Sequence, residues 1–498
     1  MKKEAALALL LVVIVTFLLM SSHLDAPFDL NHIGFTAAWY SLSAQNFLDY
    51  GVTDLYFSLT TDSGPLVDHP TLYLDHPAGI SLLLAGVFRF TGPGELAARA
   101  TGLGLSLGAA VFFFLFQRRL FRATWPALLG TLLAVSAPSW AFYGSLVDPH
   151  GPSLLFALAG ALWAVLRWAR EGRRRDLAFT LFFLVLGCLF DWAACLIAGG
   201  VGLWALLGLR RRPLASRLVL WGVPALFLAG LVALGAWAAA ELGGRADLLG
   251  ALANRSTLSA NLPDAGGEQV PFPAALRRVA LWHYKAGFPP LTLLGWYATF
   301  LLGLRLARDR TDREMGLILV PTGMGLVMLL LFFQALFEHE YLQIYFIPGL
   351  AMTTAWLLAG QKGAGPGRRR LALGAALVLL GLSLAWGWHR SRLRWAEHEP
   401  DLAACRVAGE RIAAATARGD YILAGGGFLP PLAWYSDRRF FWELDRWWDE
   451  RIPTDLEGLG GVLLTPRPSP RLEAIARRRG LAGPEPLLGG RYRLYLKQ

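Results

Sequence analysis

Charge is scarce in this chain. Only 17% of its 498 residues are Asp, Glu, Lys or Arg, where a soluble protein carries roughly a quarter. A water-exposed globular surface is therefore excluded for most of its length. Cysteine is scarcer still. Cys188, Cys195 and Cys405 fit no disulfide or zinc spacing, so no disulfide framework is implied. Lys and Arg are absent from the whole stretch 21–79. Short alternating strands of the kind that close a membrane barrel are missing. So are an internal repeat and a charge at the middle of an apolar run, which argues against a transporter or flippase.

What fills the chain is apolar. Hydrophobic residues make up 55% of it, and its mean hydropathy is +0.43. Runs near twenty residues recur, each long enough to cross a hydrocarbon core of about 30 Å. Lipid offers the backbone no hydrogen bonds, so such runs must be helices. The fold class is an all-α polytopic membrane bundle of about eleven transmembrane helices. The runs are 6–20, 100–117, 125–143, 152–168, 177–190, 193–209, 218–240, 288–304, 315–333, 341–358 and 371–388. The first reads as an uncleaved anchor. Segment 79–91 is too short to span and reads as a helix lying in the interface.

The net charge of +11 does not indicate nucleic acid. Its basic residues fall in short clusters between apolar runs: Arg118 to Arg122, Arg167 to Arg175, Arg210 to Arg217, Arg305 to Arg313, and Lys362 to Arg370. The alternate loops 21–79, 144–151 and 334–340 hold none. This sidedness puts the N-terminus in the cytoplasm and the C-terminus outside, in the inner (plasma) membrane. Residues 1–388 form the membrane domain, with a large outer loop at 21–79. Residues 389–498, rich in charge and turns, form a small accessory α/β domain on the outer face.

The unusual polar residues gather in the outer loops. The first holds Asp25, Asp29, His32, Asp49, Asp54, Asp62, Asp68, His69, Asp75 and His76; the second holds Asp148 and His150. The third has Asp191, and the fifth has Glu338, His339 and Glu340. A charge at the edge of a span is costly and marks function. Carboxylates and imidazoles together suit general-base catalysis or a divalent metal ion. Plainer readings stand beside this one. Asp148 before Pro149 makes a good helix cap, Asp191 an interfacial turn, and His339 an interfacial histidine. The acids between 49 and 68 read as solvated loop.

With these residues in place the chain resembles the GT-C integral-membrane glycosyltransferases. Within them it resembles glycosyltransferase family 39, which includes aminoarabinose transferases and protein O-mannosyltransferases. The resemblance rests on Ala37, Tyr40, Ala44 and Asn46; on Tyr73, His76 and Pro77; on Glu95 and Arg99; and on VDPHGP and HEYLQIYFIPGLAM further along. It covers about residues 1–360. The general-base Asp of many members falls at Thr36 here, and the second Pro of the Pro-Pro element is Ala78.

The resemblance implies transfer of a sugar from a polyprenyl-phosphate donor to a lipid, protein or glycan acceptor outside the cytoplasm. The implied base is Asp29, with His32 as the alternative, facing Asp148 across the sugar. Tyr40, Asp75, His76, Asp191, His339 and Glu340 border the substrates. Arg277, Arg278, His283 and Lys285 are basic residues on the outer side, against the usual sidedness, and are expected to hold the donor phosphate. The plain alternative is a basic cluster flanking a span.

Overall fold

The computed structural model describes residues 3–60, 72–73, 76–209, 212–241, 261–263, 269–359, 365–425, 429–442, 458–464, 469–488 and 492–497. Asp75 lies outside them. Among the described residues, eight helices are long and apolar enough to cross a membrane: Lys3–Met20, Glu95–Phe121, Pro149–Glu171, Leu214–Ala238, Pro289–Arg308, Asp312–Leu331, Glu340–Leu358 and Pro366–Glu397. Shorter helices accompany them at Gly79–Thr91, Thr124–Val135, Arg174–Phe190 and Ala194–Gly208. This is a multi-pass membrane protein.

Two helices depart from the runs seen in the sequence. The run 125–143 breaks into Thr124–Val135 and Pro138–Tyr143. Proline disfavours helical backbone in the residue before it, and Ala137 is extended (φ −61°, ψ 134°). The last run is part of a 50-residue helix, Pro366–Ala415. It continues without a break past residue 388 and ends in the amphipathic stretch near 405–415.

The loops sort to the two ends of the bundle. At one end Arg170 grips Glu314 through three contacts of 2.6–3.1 Å. Beside it Arg167 meets the buried Asp176 at 2.9 Å, and Arg119 pairs with Glu171. At the other end the loops carrying His32, His76, Asp148, Asp191 and His339 converge. Close backbone approaches bring them together. A Cβ on Gly79 would lie 2.3 Å from the Leu189 carbonyl, and one on Gly102 would lie 2.7 Å from that of Leu146. Only glycine lets the His76 segment reach the turn at Asp191, and the Glu95–Phe121 helix reach the strand-like run into Asp148.

Beyond the long helix lies a five-stranded sheet in the order 439–442, 421–424, 459–464, 492–496, 482–487. Its first three strands are parallel and the rest antiparallel. The short helix Pro430–Ser436 docks this unit on the first loop. The Tyr435 hydroxyl accepts from the Phe28 amide at 2.7 Å and donates to Glu95 at 2.8 Å. Arg406 donates to the same carboxylate at 2.6 Å.

Candidate functional site

The site is a row of alternating imidazoles and carboxylates. His32 opens the helix His32–Tyr50, and its Nε2 lies 3.7 Å from Asp148 Oδ2, at ion-pair range. Asp148 Oδ1 accepts from the His150 amide at 2.7 Å, so the expected cap is real. That cap also fixes the carboxylate that faces His32. The His150 side chain turns the other way. Its Nδ1 lies 3.0 Å from the Tyr345 hydroxyl and 3.1 Å from Asp191 Oδ2. His76 Nδ1 meets the same Asp191 oxygen at 3.1 Å. Asp191 Oδ1 accepts from the Ala193 amide at 2.6 Å.

Both carboxylates are almost wholly buried, at 2% and 1% exposure. Burial alone would raise their pKa values. For Asp148 the facing His32, the charge of His150 and the His150 amide outweigh burial and hold the carboxyl below its ordinary range. For Asp191 the charge and hydrogen bond of His150, then those of His76, do so more strongly. Both stay ionised through the neutral range, each bordered by imidazoles.

The row runs between two cavities. A polar one of about 370 Å³ is lined by His32, Tyr143, His339, Glu340, Arg390 and Arg394, among others. His32 stacks on Tyr341 there, with ring centres 4.2 Å apart, and His339 lies 5.9 Å from it. Glu340 is held by Arg394 at 2.9 Å and by the Tyr143 hydroxyl at 2.9 Å. The second cavity, about 350 Å³, is mostly apolar and starts at His76 and Pro77. It continues past Tyr56, Phe57, Trp192, Phe227 and Leu231.

Other residues singled out in the sequence sit apart. Asp29 is buried, accepts from Asn31 at 2.8 Å and lies in the field of the buried Arg99. Tyr40 is buried, and its carbonyl accepts from Ser81. On the helix Phe272–Ala286, Arg278 lies over the rings of Trp282 and Phe337, and Arg277 is exposed. His283 accepts from the Trp296 indole on Nε2 at 2.8 Å and meets Gln343 Oε1 at 3.1 Å through Nδ1. One nitrogen must accept and the other donate, so the ring is neutral. Burial pushes its pKa down to about 4, against the opposing pull of Gln343. Lys285 is exposed and reaches a small recess shared with Arg390 and Arg394.

Arg390, Arg394, Tyr345 and Tyr143 were not singled out by sequence reasoning. The two arginines had a signal available. HRSRLR follows the last apolar run on the side that otherwise lacks basic residues. The tyrosines have none beyond the aromatic belt.

No protein-family model matches the sequence, and no curated protein does. Solved structures do match. ArnT from Cupriavidus metallidurans, bound to undecaprenyl phosphate, aligns with a TM-score of 0.65 at 12% identity, covering 98% of this chain and 97% of that one. The chain shares the fold of ArnT. In its apo state ArnT aligns at 0.59. The oligosaccharyltransferase AglB from Archaeoglobus fulgidus, in complex with an inhibitory peptide and a dolichol-phosphate, aligns at 0.56 with 13% identity, over 93% of this chain and 69% of that one. The GT-C resemblance read from the sequence is thus borne out at the level of fold.

Within this GT-C fold, His76, His150 and Asp191 each offer one ligand atom, all within 4.8 Å of one another. Two imidazole nitrogens and a carboxylate oxygen form a donor set suited to a divalent ion such as zinc. AglB was also solved in complex with Zn and sulfate.

Proposed function

We propose that the protein is a membrane glycosyltransferase that moves a sugar from a polyprenyl-phosphate donor to an acceptor on the extracytoplasmic side. The observation that carries this reading is the row His32–Asp148–His150–Asp191–His76, buried between an apolar groove and a polar cavity in a GT-C fold. A lipid-linked sugar has an apolar tail and a charged, hydroxylated head, and the two cavities offer one wall of each kind. The tail lies along the groove of Tyr56, Trp192 and Phe227, and the phosphosugar reaches the row from the His76 side.

In the reaction an acceptor oxygen bonds to the anomeric carbon as the bond from that carbon to the phosphate oxygen breaks. The phosphate departs with the bonding pair, and the acceptor proton must go to a base. His32 takes this proton, with Asp148 stabilising the imidazolium that forms. His76, His150 and Asp191 would hold a divalent ion, which supplies positive charge to the leaving phosphate. A transporter is disfavoured, because the sequence has no internal repeat and no charge at the middle of an apolar run.

The test is product analysis by mass spectrometry. Purified protein is incubated with a panel of polyprenyl-phosphate sugars and with lipid, peptide and glycan acceptors. One acceptor should gain the mass of one sugar, with release of polyprenyl phosphate. Donor intact across the whole panel, from protein that stays folded with and without added zinc, manganese or magnesium, would overturn the reading.

A further inference from the structure

The polar cavity has charges that the row does not use. Among the described residues, Arg390 and Lys285 have no carboxylate partner, whereas Arg394 is committed to Glu340 and Tyr143. Arg390 lines both the cavity beside His32 and the small recess that Lys285 borders. Arg394 stands one helical turn further on, on the same face of the long helix. A guanidinium without a partner at the wall of a protein cavity is a seat for an anion, and its planar fork suits phosphate or carboxylate oxygens. Among the described residues, the groove at His76 has no such cations: its polar and charged lining is Ser58, His76 and the hydroxyl and indole of Tyr56 and Trp192.

We infer that Arg390 and Lys285 form an anion seat for the acceptor, which therefore carries a phosphate or carboxylate group close to the hydroxyl that receives the sugar. The inference rests on the proposed transfer reaction for its direction. The donor occupies the groove on the His76 side, and the seat lies on the His32 side, where the acceptor proton leaves. An anionic acceptor is thereby fixed by two contacts, with its nucleophilic oxygen turned toward His32. Glu340 and the Tyr143 hydroxyl engage Arg394, which leaves the seat to Arg390 and Lys285.

The experiment uses the full chain in detergent and needs no turnover. Inorganic phosphate is titrated by calorimetry, alone and then with a saturating polyprenyl phosphate present. Wild type should bind phosphate at one site in both conditions. Arg390→Gln and Lys285→Gln should each weaken it about tenfold or more, as expected for one charge-assisted contact. Arg277→Gln, on the exposed face of the neighbouring helix, should leave it unchanged, and Arg390→Lys should restore part of the affinity in a variant that keeps the charge. No saturable phosphate binding by wild type would overturn the seat, as would full affinity in Arg390→Gln. Displacement of phosphate by the polyprenyl phosphate would overturn the assignment to the acceptor, since the seat would then belong to the donor. Failure of the polyprenyl phosphate itself to bind would count against the proposed reaction and leave the seat standing.

Discussion

His32 stacks on Tyr341 and points one ring nitrogen at Asp148, so its plane and its counter-charge are both fixed. Removing either partner should slow turnover about 100- to 10,000-fold. Because the two act as a unit, His32→Gln combined with Asp148→Asn should be little worse than the poorer single variant. Measured kcat values that multiply in the double variant would separate the two roles. His283 should behave differently. Its neutral ring takes up a proton only near pH 4, against an ordinary 6.5. Between these values the unfolded chain binds a proton that the folded chain refuses. Stability should therefore fall as pH drops from 6.5 towards 4, by up to about 3 kcal/mol. Thermal unfolding in detergent across that range, compared with His283→Gln, measures this; an equal pH slope in both proteins would refute it. Residues whose charge offends their place were legible in the sequence, Asp148, His76 and Asp191 among them. The different surroundings of Asp29 and His32 were not. The two lie three residues apart across a helix start, and their surroundings are set from far along the chain: Arg99 acts on Asp29, and Asp148 and Tyr341 hold His32.

At the level of elements, apolar run length was a good guide and continuity was not. Pro138 marks the break in 125–143 in retrospect, but a polar, arginine-rich stretch after Trp388 gives no sign that the helix goes on. It continues because its flank is held: Trp395 stacks on His23 and lies under Arg99, and Arg394 is tied to Glu340. The docking helix Pro430–Ser436 was equally hidden, since Tyr435 meets Phe28 across 407 positions of sequence. Tyr435→Phe removes the acceptor of the Phe28 amide and one donor to Glu95. It should lower stability by about 1–3 kcal/mol and loosen the loop that leads into His32. Hydrogen exchange at residues 25–33 would report the loosening. Unchanged protection there would show that the C-terminal unit does not brace the site.

Among the described residues the basic loops and the histidine–carboxylate loops lie at opposite ends, and by the positive-inside rule the first are expected on the cytoplasmic side. Alkaline phosphatase fused to Gln498 should then be active and green fluorescent protein dark; the reverse pattern would invert the orientation and move the reaction inside. That layering was legible because a bilayer sorts residues by charge along a single axis. The sheet's attachment was not, because nothing sorts residues around that axis but contact. The long helix makes this angular freedom consequential. Its 50 residues extend about 75 Å and turn about 100° per residue. Arg390, Arg394 and the sheet beyond them are thus set in phase on one shaft. One residue added before Arg390 would swing all of them by about 100° away from His32, and seven added would return them to within about 20° but some 10 Å further out. The membrane part and the sheet can therefore drift in sequence, but the length of the helix between them cannot, and related chains with different C-terminal units should exchange them only beyond Trp395.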